Sequence, residues 1–156
     1  MNVRVAPNAE RAEKLEHVSR ELLPGAALLT RLLVRELAGD LSRTEVGLLN
    51  TVSGGPRRIT ELAELEGLAQ PTMTILVKQL EERGLVRRGR EDGDGRVVLV
   101  HETDAGRRAL EDYRARAEEI LGGYLAEMPD QQVEDLAAAT DAVAQLVTLM
   151  QAQTVR

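Results

Sequence analysis

The fold is decided by residues 68–84, which read LAQPTMTILVKQLEERG. The proline falls in the first turn of a predicted helix, where its missing N–H leaves no hydrogen bond unmade. An apolar stripe follows at helical spacing, formed by Met73, Leu76, Val77 and Leu80. Gly84 predicts the end of this helix. The stretch is therefore an amphipathic helix with one buried face and one face open to a partner.

Two shorter helices are predicted before it. Ser42-Arg43-Thr44-Glu45 fits a capping box, which predicts a helix start. SGGPRR (53–58) is typical of a loop, and Thr60 can cap a short helix that Gly67 ends. A helix, a loop, a short helix, a tight turn and a second helix together predict a helix-turn-helix.

A glycine-rich hairpin is predicted after it. Residues 87–100 read RRGREDGDGRVVLV, and the apolar arms Leu85-Val86 and Val97–Val100 flank an acidic tip. A calcium loop would need an oxygen ligand and a carboxylate where Arg96 and Thr103 stand, so that reading fails. A phosphate-binding loop would end in Gly-Lys-Ser/Thr, which is absent from the sequence. The hairpin is therefore predicted to be the wing of a winged helix-turn-helix.

Long helices are predicted on both sides of this lobe. Leucines at helical spacing run through residues 9–39, and Pro24-Gly25 predicts either a kink or a second helix there. Thr103 can cap a long helix, and Pro129 separates it from the last one. The predicted fold is mainly α with a small β-hairpin wing. Its parts are a winged helix-turn-helix lobe (42–101) and a helical dimerisation domain (9–39 and 104–153).

Composition excludes several functions. The chain has no cysteine and only two histidines, His17 and His101, far apart in sequence. It offers no nucleophile–base pair, no metal-ligand cluster and no phosphate loop, so we expect neither an enzyme nor a cofactor or metal. With no Phe or Trp and two Tyr, it lacks the aromatic platforms that bind single-stranded nucleic acid.

The net charge of −6 hides a local basic region. Residues 97–156 hold 5 basic and 11 acidic side chains, which accounts for the whole excess. Residues 83–96 hold 5 arginines against 3 acids. An acidic protein can still present a basic edge to a polyanion, since the local potential governs the encounter.

Double-stranded DNA is the partner this arrangement predicts. The outward face of the second helix would enter a major groove, and the wing arginines would contact phosphates or a minor groove. Ile75 is unusual on such a face, and we expect it either to contact a thymine methyl or to be a scattered surface apolar residue. The candidate DNA-binding residues are Arg57, Arg58, Thr60, Gln70, Pro71, Thr72, Thr74, Ile75, Lys78, Arg88, Arg90, Asp94 and Arg96.

Three stretches resemble the MarR family (multiple antibiotic resistance regulators) of bacterial transcription factors. They are ITELAELEGLAQPTMTILVKQLEERGLVRR, DGDGRVVLV and TDAGRRAL. Asp94-Gly95-Arg96 is similar to the family's Asp-x-Arg wing signature. The sequence departs from the family pattern at Ala69, where a capping Ser is frequent, and at Ile75 and Gln79, where basic residues are common.

The resemblance implies a homodimer that binds a pseudo-palindromic operator, with half-sites about one helical turn apart. It implies a repressor, released by a small aromatic or carboxylate effector that binds between the lobe and the dimer helices. The candidate effector-binding residues are His17, Arg20, Arg31 and Arg35 on the first helices. The alternative for each of them is a surface salt bridge, and the sequence favours that alternative. The long amphipathic end helices favour a dimer independently, because one chain gives them little to pack against.

The sequence predicts neither a signal peptide nor a membrane span, so we expect a cytoplasmic protein. One alternative function stays open: a winged-helix module that binds protein without strong DNA binding. The exposed Ile75 and the single cation of the second helix, Lys78, would suit that alternative.

Overall fold

The computed structural model describes the backbone of residues 9–37, 39, 41–91 and 94–154, and the side chains of these residues except 90–97 and 153–154. The described residues form two compact units that divide between Ala117 and Glu118. The elements are α1 (Ala9–Glu36), α2 (Arg43–Ser53), β1 (Arg57–Arg58), α3 (Ile59–Leu65), α4 (Gln70–Glu82), β2 (Val86–Glu91), β3 (Asp94–Glu102), α5 (Asp104–Leu125) and α6 (Asp130–Thr154).

The wing is a three-stranded antiparallel sheet in the order β1-β3-β2. The hairpin of β2 and β3 was predicted, although both strands are longer than their apolar arms. The prediction of a loop through residues 57–58 was wrong, because Arg57 pairs with Val100 and Arg58 with Leu99. This short strand holds the start of α3 against the sheet.

One hydrophobic core lies inside the first unit, and it confirms the predicted stripe of α4. Met73, Val77 and Leu80 have no exposed surface, and Leu76 packs against them as a half-buried residue. The other members of the core come from α2, α3, the turn before β2, both hairpin strands and α5: Leu48, Leu49, Val52, Leu62, Ala63, Leu85, Val86, Val100 and Leu110. The outward face of α4 is therefore fixed by what its inner face buries.

The helix ends show which capping predictions hold. The Glu45 carboxylate accepts from the Ser42 N–H at 2.6 Å, and the Ser42 hydroxyl accepts from the Glu45 N–H at 3.3 Å, so the capping box is confirmed. The prediction that Thr60 caps α3 was wrong. The helix begins at Ile59, and the backbone N–H of Arg58 donates to the Glu61 carboxylate at 2.8 Å.

Two glycines end helices as predicted. Gly67 has a φ of +64° and Gly84 a φ of +72°. Both lie in the left-handed region, which glycine enters without the steric cost of a Cβ. These two positions set the turn before α4 and the turn from α4 into the wing.

Helix α1 runs without interruption through Pro24, so the alternative of a second helix starting there was wrong. None of its residues is buried. Its apolar side chains instead form an exposed stripe: Leu15, Val18, Leu22, Leu23, Leu28, Leu29 and Leu32. Only past its end does the chain enter the interior, at Leu37.

The second unit contains the end of α5 and all of α6. Large apolar side chains are exposed along α6 as well: Leu136, Val143, Leu146, Val147, Leu149 and Met150. Within the described part of the chain, no helix is long and apolar enough to cross a membrane. The same residues contain no group of three or more His, Asp or Glu side chains that could hold a metal ion.

Candidate nucleic-acid interface

Helix α4 presents the predicted recognition face to solvent. Every predicted contact residue on it is exposed: Gln70, Pro71, Thr72, Thr74, Ile75 and Lys78. Ile75 is 59% exposed although the residues two positions to either side are fully buried. The face therefore combines hydroxyl, amide and ammonium groups with one large apolar side chain, which are the groups that base edges in a major groove can meet.

Among the described residues, no side chain caps the start of α4. Its N-cap residue is Ala69, and Pro71 lies in the first turn. The first amides of a helix point away from it and carry the positive end of the helix dipole. Because no described side chain caps these amides, this end of α4 is suited to face a DNA phosphate.

The two predicted cations nearest to α4 both have acidic partners. The Lys78 Nζ lies 3.6 Å from a Glu82 carboxylate oxygen. The Arg88 Nε lies 3.4 Å from Glu81, whose other oxygen accepts from the Arg88 N–H at 3.0 Å. Exposed ion pairs of this kind contribute only about 0–1 kcal/mol, so a phosphate can replace the carboxylate.

The remaining predicted DNA contacts lie around the sheet. Arg57 on β1 is half-buried, and its guanidinium donates to the Pro56 carbonyl at 3.2 Å. Arg58 and Thr60 are exposed where β1 leads into α3. In the wing, the backbone of β2 and β3 is described, but the side chains of Arg90, Asp94 and Arg96 lie outside the described residues. Their predicted contacts with DNA stay predictions.

His101 lies next to the end of strand β3 in the wing. It faces Arg87 in the hairpin register, and a Cβ built on Gly89 would lie 2.8 Å from its Nε2. That nitrogen is buried and has no hydrogen-bond partner among the described residues. Burial lowers the pKa of His101, and the positive charge of Arg87 lowers this pKa further. The fold therefore favours the neutral imidazole.

The side chain of Thr103 caps α5 and also connects this helix to the turn before the wing. Its hydroxyl accepts from the Gly106 N–H at 3.0 Å, as predicted for the cap. The same hydroxyl lies 2.7 Å from the carbonyl oxygen of Gly84 and 3.0 Å from that of Leu85, and it can donate to either. The start of α5 is thus fixed to the turn between α4 and β2.

A cleft of about 420 Å³ opens beside that turn, within the first unit. This volume lies in the range of small-molecule sites. Apolar residues line part of it, and the guanidinium groups of Arg83 and Arg116 and the side chains of Asp112 and Tyr113 supply the polar part. The Arg83 Nη1 also lies 2.6 Å from Glu45. The predicted effector residues His17, Arg20, Arg31 and Arg35 are exposed along α1 and do not line this cleft.

Sequence reasoning missed the cleft residues, although part of the signal was available. Tyr113 and Arg116 stand three positions apart on α5 and therefore share a face. Arg83 is the C-cap residue of α4, immediately before the glycine that ends it. What the sequence lacked was the long-range packing that brings these residues together.

The described lobe is a winged helix-turn-helix, with α3 and α4 as the helix pair and β2 and β3 as the wing. Comparison with known proteins shows which family of winged helix-turn-helix proteins this lobe is similar to. Residues 39–97 match a model of the MarR family. The chain is 30% identical over 83 residues to the uncharacterized HTH-type transcriptional regulator YpoP of Bacillus subtilis, a match that covers 53% of the chain and 59% of the relative's length.

Solved structures of transcriptional regulators share the fold of this chain. A putative transcriptional regulator from Pseudomonas aeruginosa is 26% identical with a TM-score of 0.72, and the match covers 91% of this chain and 98% of that one. The transcriptional regulator BldR from Sulfolobus solfataricus is 27% identical with a TM-score of 0.59, with 85% and 95% covered. The resemblance predicted from the sequence is confirmed over residues 39–97, which match the MarR family, and the similar proteins are transcriptional regulators.

Proposed function

We propose that this chain is a DNA-binding transcriptional regulator that acts in the cytoplasm as a homodimer on a pseudo-palindromic operator. The observation that carries the proposal is the outward face of α4. Its predicted contact residues are all exposed, while its inner face is buried in the lobe core. The alternation of Arg, Gly and acidic residues in the adjacent hairpin supports a role in DNA binding.

The exposed apolar stripes support the homodimer. Helix α1 exposes seven large apolar residues, and α6 exposes six. A solvated monomer rarely leaves such continuous apolar surface open. A two-fold dimer would cover these stripes and would present two copies of α4 to successive turns of a major groove. The predicted dimerisation domain, residues 9–39 and 104–153, contains both stripes.

The cleft beside Arg83 supports release by a small effector. Its two guanidinium groups suit a carboxylate, and its apolar wall suits an aromatic ring. Arg83 follows α4 directly and pairs with Glu45, so an anion that draws its guanidinium into the cleft would change a contact at the end of α4. A regulator released from DNA in this way would be a repressor. The α1 set of His17, Arg20, Arg31 and Arg35 remains a second predicted effector site.

The test is selection from a pool of genomic fragments at two salt concentrations, with sequencing of the bound DNA. We expect a palindrome with half-sites about one helical turn apart, bound more weakly at high salt because phosphate contacts release counterions. Lys78→Glu should weaken binding. Lys14→Glu, the same charge change on the exposed surface of α1, should not. No enrichment at either salt concentration would reject the proposal.

One observation favours a second candidate, a winged-helix module that binds protein. Ile75 is exposed on the recognition face, and the ammonium group beside it is paired with Glu82. The two candidates differ in salt dependence. A DNA-binding protein loses affinity for DNA steeply as the salt concentration rises. Weak binding to DNA that does not respond to salt would favour the protein-binding module.

A further inference from the structure

Ile75 is the one large apolar side chain exposed on the described recognition face of α4. The helix cannot turn to bury it, because Met73 and Val77 already occupy the core with no exposed surface. Its β-branched side chain is restricted to few rotamers in a helix, so its methyl groups have a fixed presentation. A rigid apolar group is therefore held outward at the centre of the face that would meet a major groove.

The polar neighbours of Ile75 are engaged within their own helix. The Thr74 hydroxyl donates to the Gln70 carbonyl oxygen at 2.9 Å. The Lys78 ammonium lies one turn further along and pairs with Glu82 at 3.6 Å. Ile75 takes part in neither of these two interactions. Its side chain is a hydrocarbon, so it can contribute to binding only through apolar contact.

The floor of a major groove presents one apolar group, the C5 methyl of thymine. The hydrogen-bonding groups of the base edges are polar, and the phosphates that flank the groove are charged. We infer that Ile75 packs against the 5-methyl group of a thymine in each operator half-site and thereby determines specificity at that base pair. The inference rests on the proposed function and adds to it the base that this position of α4 selects.

The expected effect follows from the size of the group. Burying one methyl group changes affinity by about fourfold, from about 0.8 kcal/mol at RT of 0.59 kcal/mol. A dimer that makes the contact once in each half-site would lose about 15-fold when both methyl groups are removed. This loss lies well within the reach of a binding titration.

The experiment replaces the thymines of the selected operator with deoxyuridine, one symmetric pair at a time. Uracil keeps the base-pairing and hydrogen-bonding groups of thymine and lacks only the methyl group. Kd is measured by fluorescence anisotropy at fixed salt for the wild-type protein. We expect one symmetric pair of substitutions to weaken binding by about 15-fold, while pairs outside the reach of Ile75 leave Kd unchanged.

Two variants assign the effect to this side chain. In Ile75→Ala the affinities for the thymine and uracil operators should become equal at the sensitive position. In Lys78→Ala, the matched control on the same face, both affinities should fall together and their ratio should persist. Circular dichroism checks that both variants keep the helical content of the wild type, as expected for exposed positions.

Three results would overturn the inference, and they are distinguishable. Operator binding with no sensitivity to uracil at any position would remove the thymine contact and leave the regulator intact. A sensitivity that persists in Ile75→Ala would assign the methyl contact to another residue. Failure of the selection to yield an operator would reject the proposed function itself, and the thymine contact with it.

Discussion

Arg83 donates from its Nη1 to a carboxylate oxygen of Glu45 across 2.6 Å, although the two residues are 38 positions apart. The other oxygen of Glu45 accepts from the Ser42 N–H, so one carboxylate serves both the start of α2 and the end of α4. Its side chain is only 12% exposed, compared with 38% for Arg83. This contact lies between the helix that we propose faces DNA and the cleft that we propose binds an effector.

Substitutions of Glu45 separate its two roles. Glu45→Ala removes both the capping bond and the ion pair, and we expect the free energy of unfolding to fall by about 1–2 kcal/mol. Glu45→Gln keeps an oxygen that can cap α2 and loses only the charge, so the loss should stay below about 1 kcal/mol. Urea unfolding at one protein concentration measures both values. Equal losses in the two variants would show that the ion pair, not the cap, carries the stability.

Benzoate, a small aromatic carboxylate, tests the location of the effector site. If it binds the cleft, it should stabilise the wild type by about 1.4 kcal/mol at ten times its Kd. The rise in melting temperature should disappear in Arg116→Ala, which removes one of the two cleft guanidinium groups. Arg31→Ala is the matched control on α1. If the control loses the response and Arg116→Ala keeps it, the effector site belongs to the predicted α1 set.

Gly106 tests the close approach between α5 and the turn before β2. A Cβ at this position would overlap the carbonyl oxygen of Leu85. Gly106→Ala should therefore lower the free energy of unfolding by about 1–3 kcal/mol, even though alanine favours helices. Gly122→Ala in the same helix is the control, because no atom of the described residues lies within 4 Å of its added Cβ. Equal effects of the two substitutions on unfolding would contradict the close approach.

The stability of the wing should depend on pH through His101. Burial and the charge of Arg87 lower the pKa of this imidazole below the usual value of 6.5. The unfolded chain then binds more protons than the folded one as pH falls through 6.5, so stability is complete above that pH and declines below it. We expect the wild type to lose more stability between pH 7.5 and 5.5 than His101→Gln does.

Differential scanning calorimetry at the two pH values measures this difference. Other groups also titrate in this pH interval. The contribution of His101 is therefore the difference between the stability lost by the wild type and the stability lost by His101→Gln. His17→Gln, on the exposed surface of α1, should keep the full pH response of the wild type. A His101→Gln protein that is as sensitive to pH as the wild type would show that another group is responsible.

Local patterns predicted the parts of the fold that local physics controls. The spacing of Met73, Val77 and Leu80 indicated the buried face of α4, and Ser42 with Glu45 indicated the start of α2. The pairing of β1 with β3 could not be predicted in this way. Arg57-Arg58 has neither apolar alternation nor length, and it is a strand only because β3 supplies the pairing groups.

The same distinction applies to the candidate site. Exposure on α4 followed from periodicity, so the outward face was predictable residue by residue. The start of α3 could not be predicted in this way. The Glu61 carboxylate accepts a hydrogen bond from the backbone N–H of Arg58, so the helix begins at Ile59 and Thr60 is not its cap. The approach of the His101 imidazole to Gly89 depends on the register of the hairpin. The approach of Arg83 to Glu45 depends on tertiary packing, so local sequence patterns predict neither contact.

Glu81 is expected to restrain DNA binding through Arg88. The carboxylate holds the Arg88 guanidinium at 3.4 Å and also accepts from its backbone N–H. Glu81→Gln removes the competing charge while keeping an oxygen for the backbone bond. The freed guanidinium should contact a phosphate, which raises affinity and steepens the plot of log K against log salt by about 0.9 for each added phosphate contact.

Titrations of wild type and variant over a series of salt concentrations measure this slope. Glu111→Gln, an equal charge change at an exposed position of α5, is the control for the general effect of net charge. It should shift affinity slightly and leave the slope unchanged. If Glu81→Gln and Glu111→Gln behave alike, Arg88 makes no new phosphate contact, and its pairing with Glu81 serves only to stabilise the junction of α4 and β2.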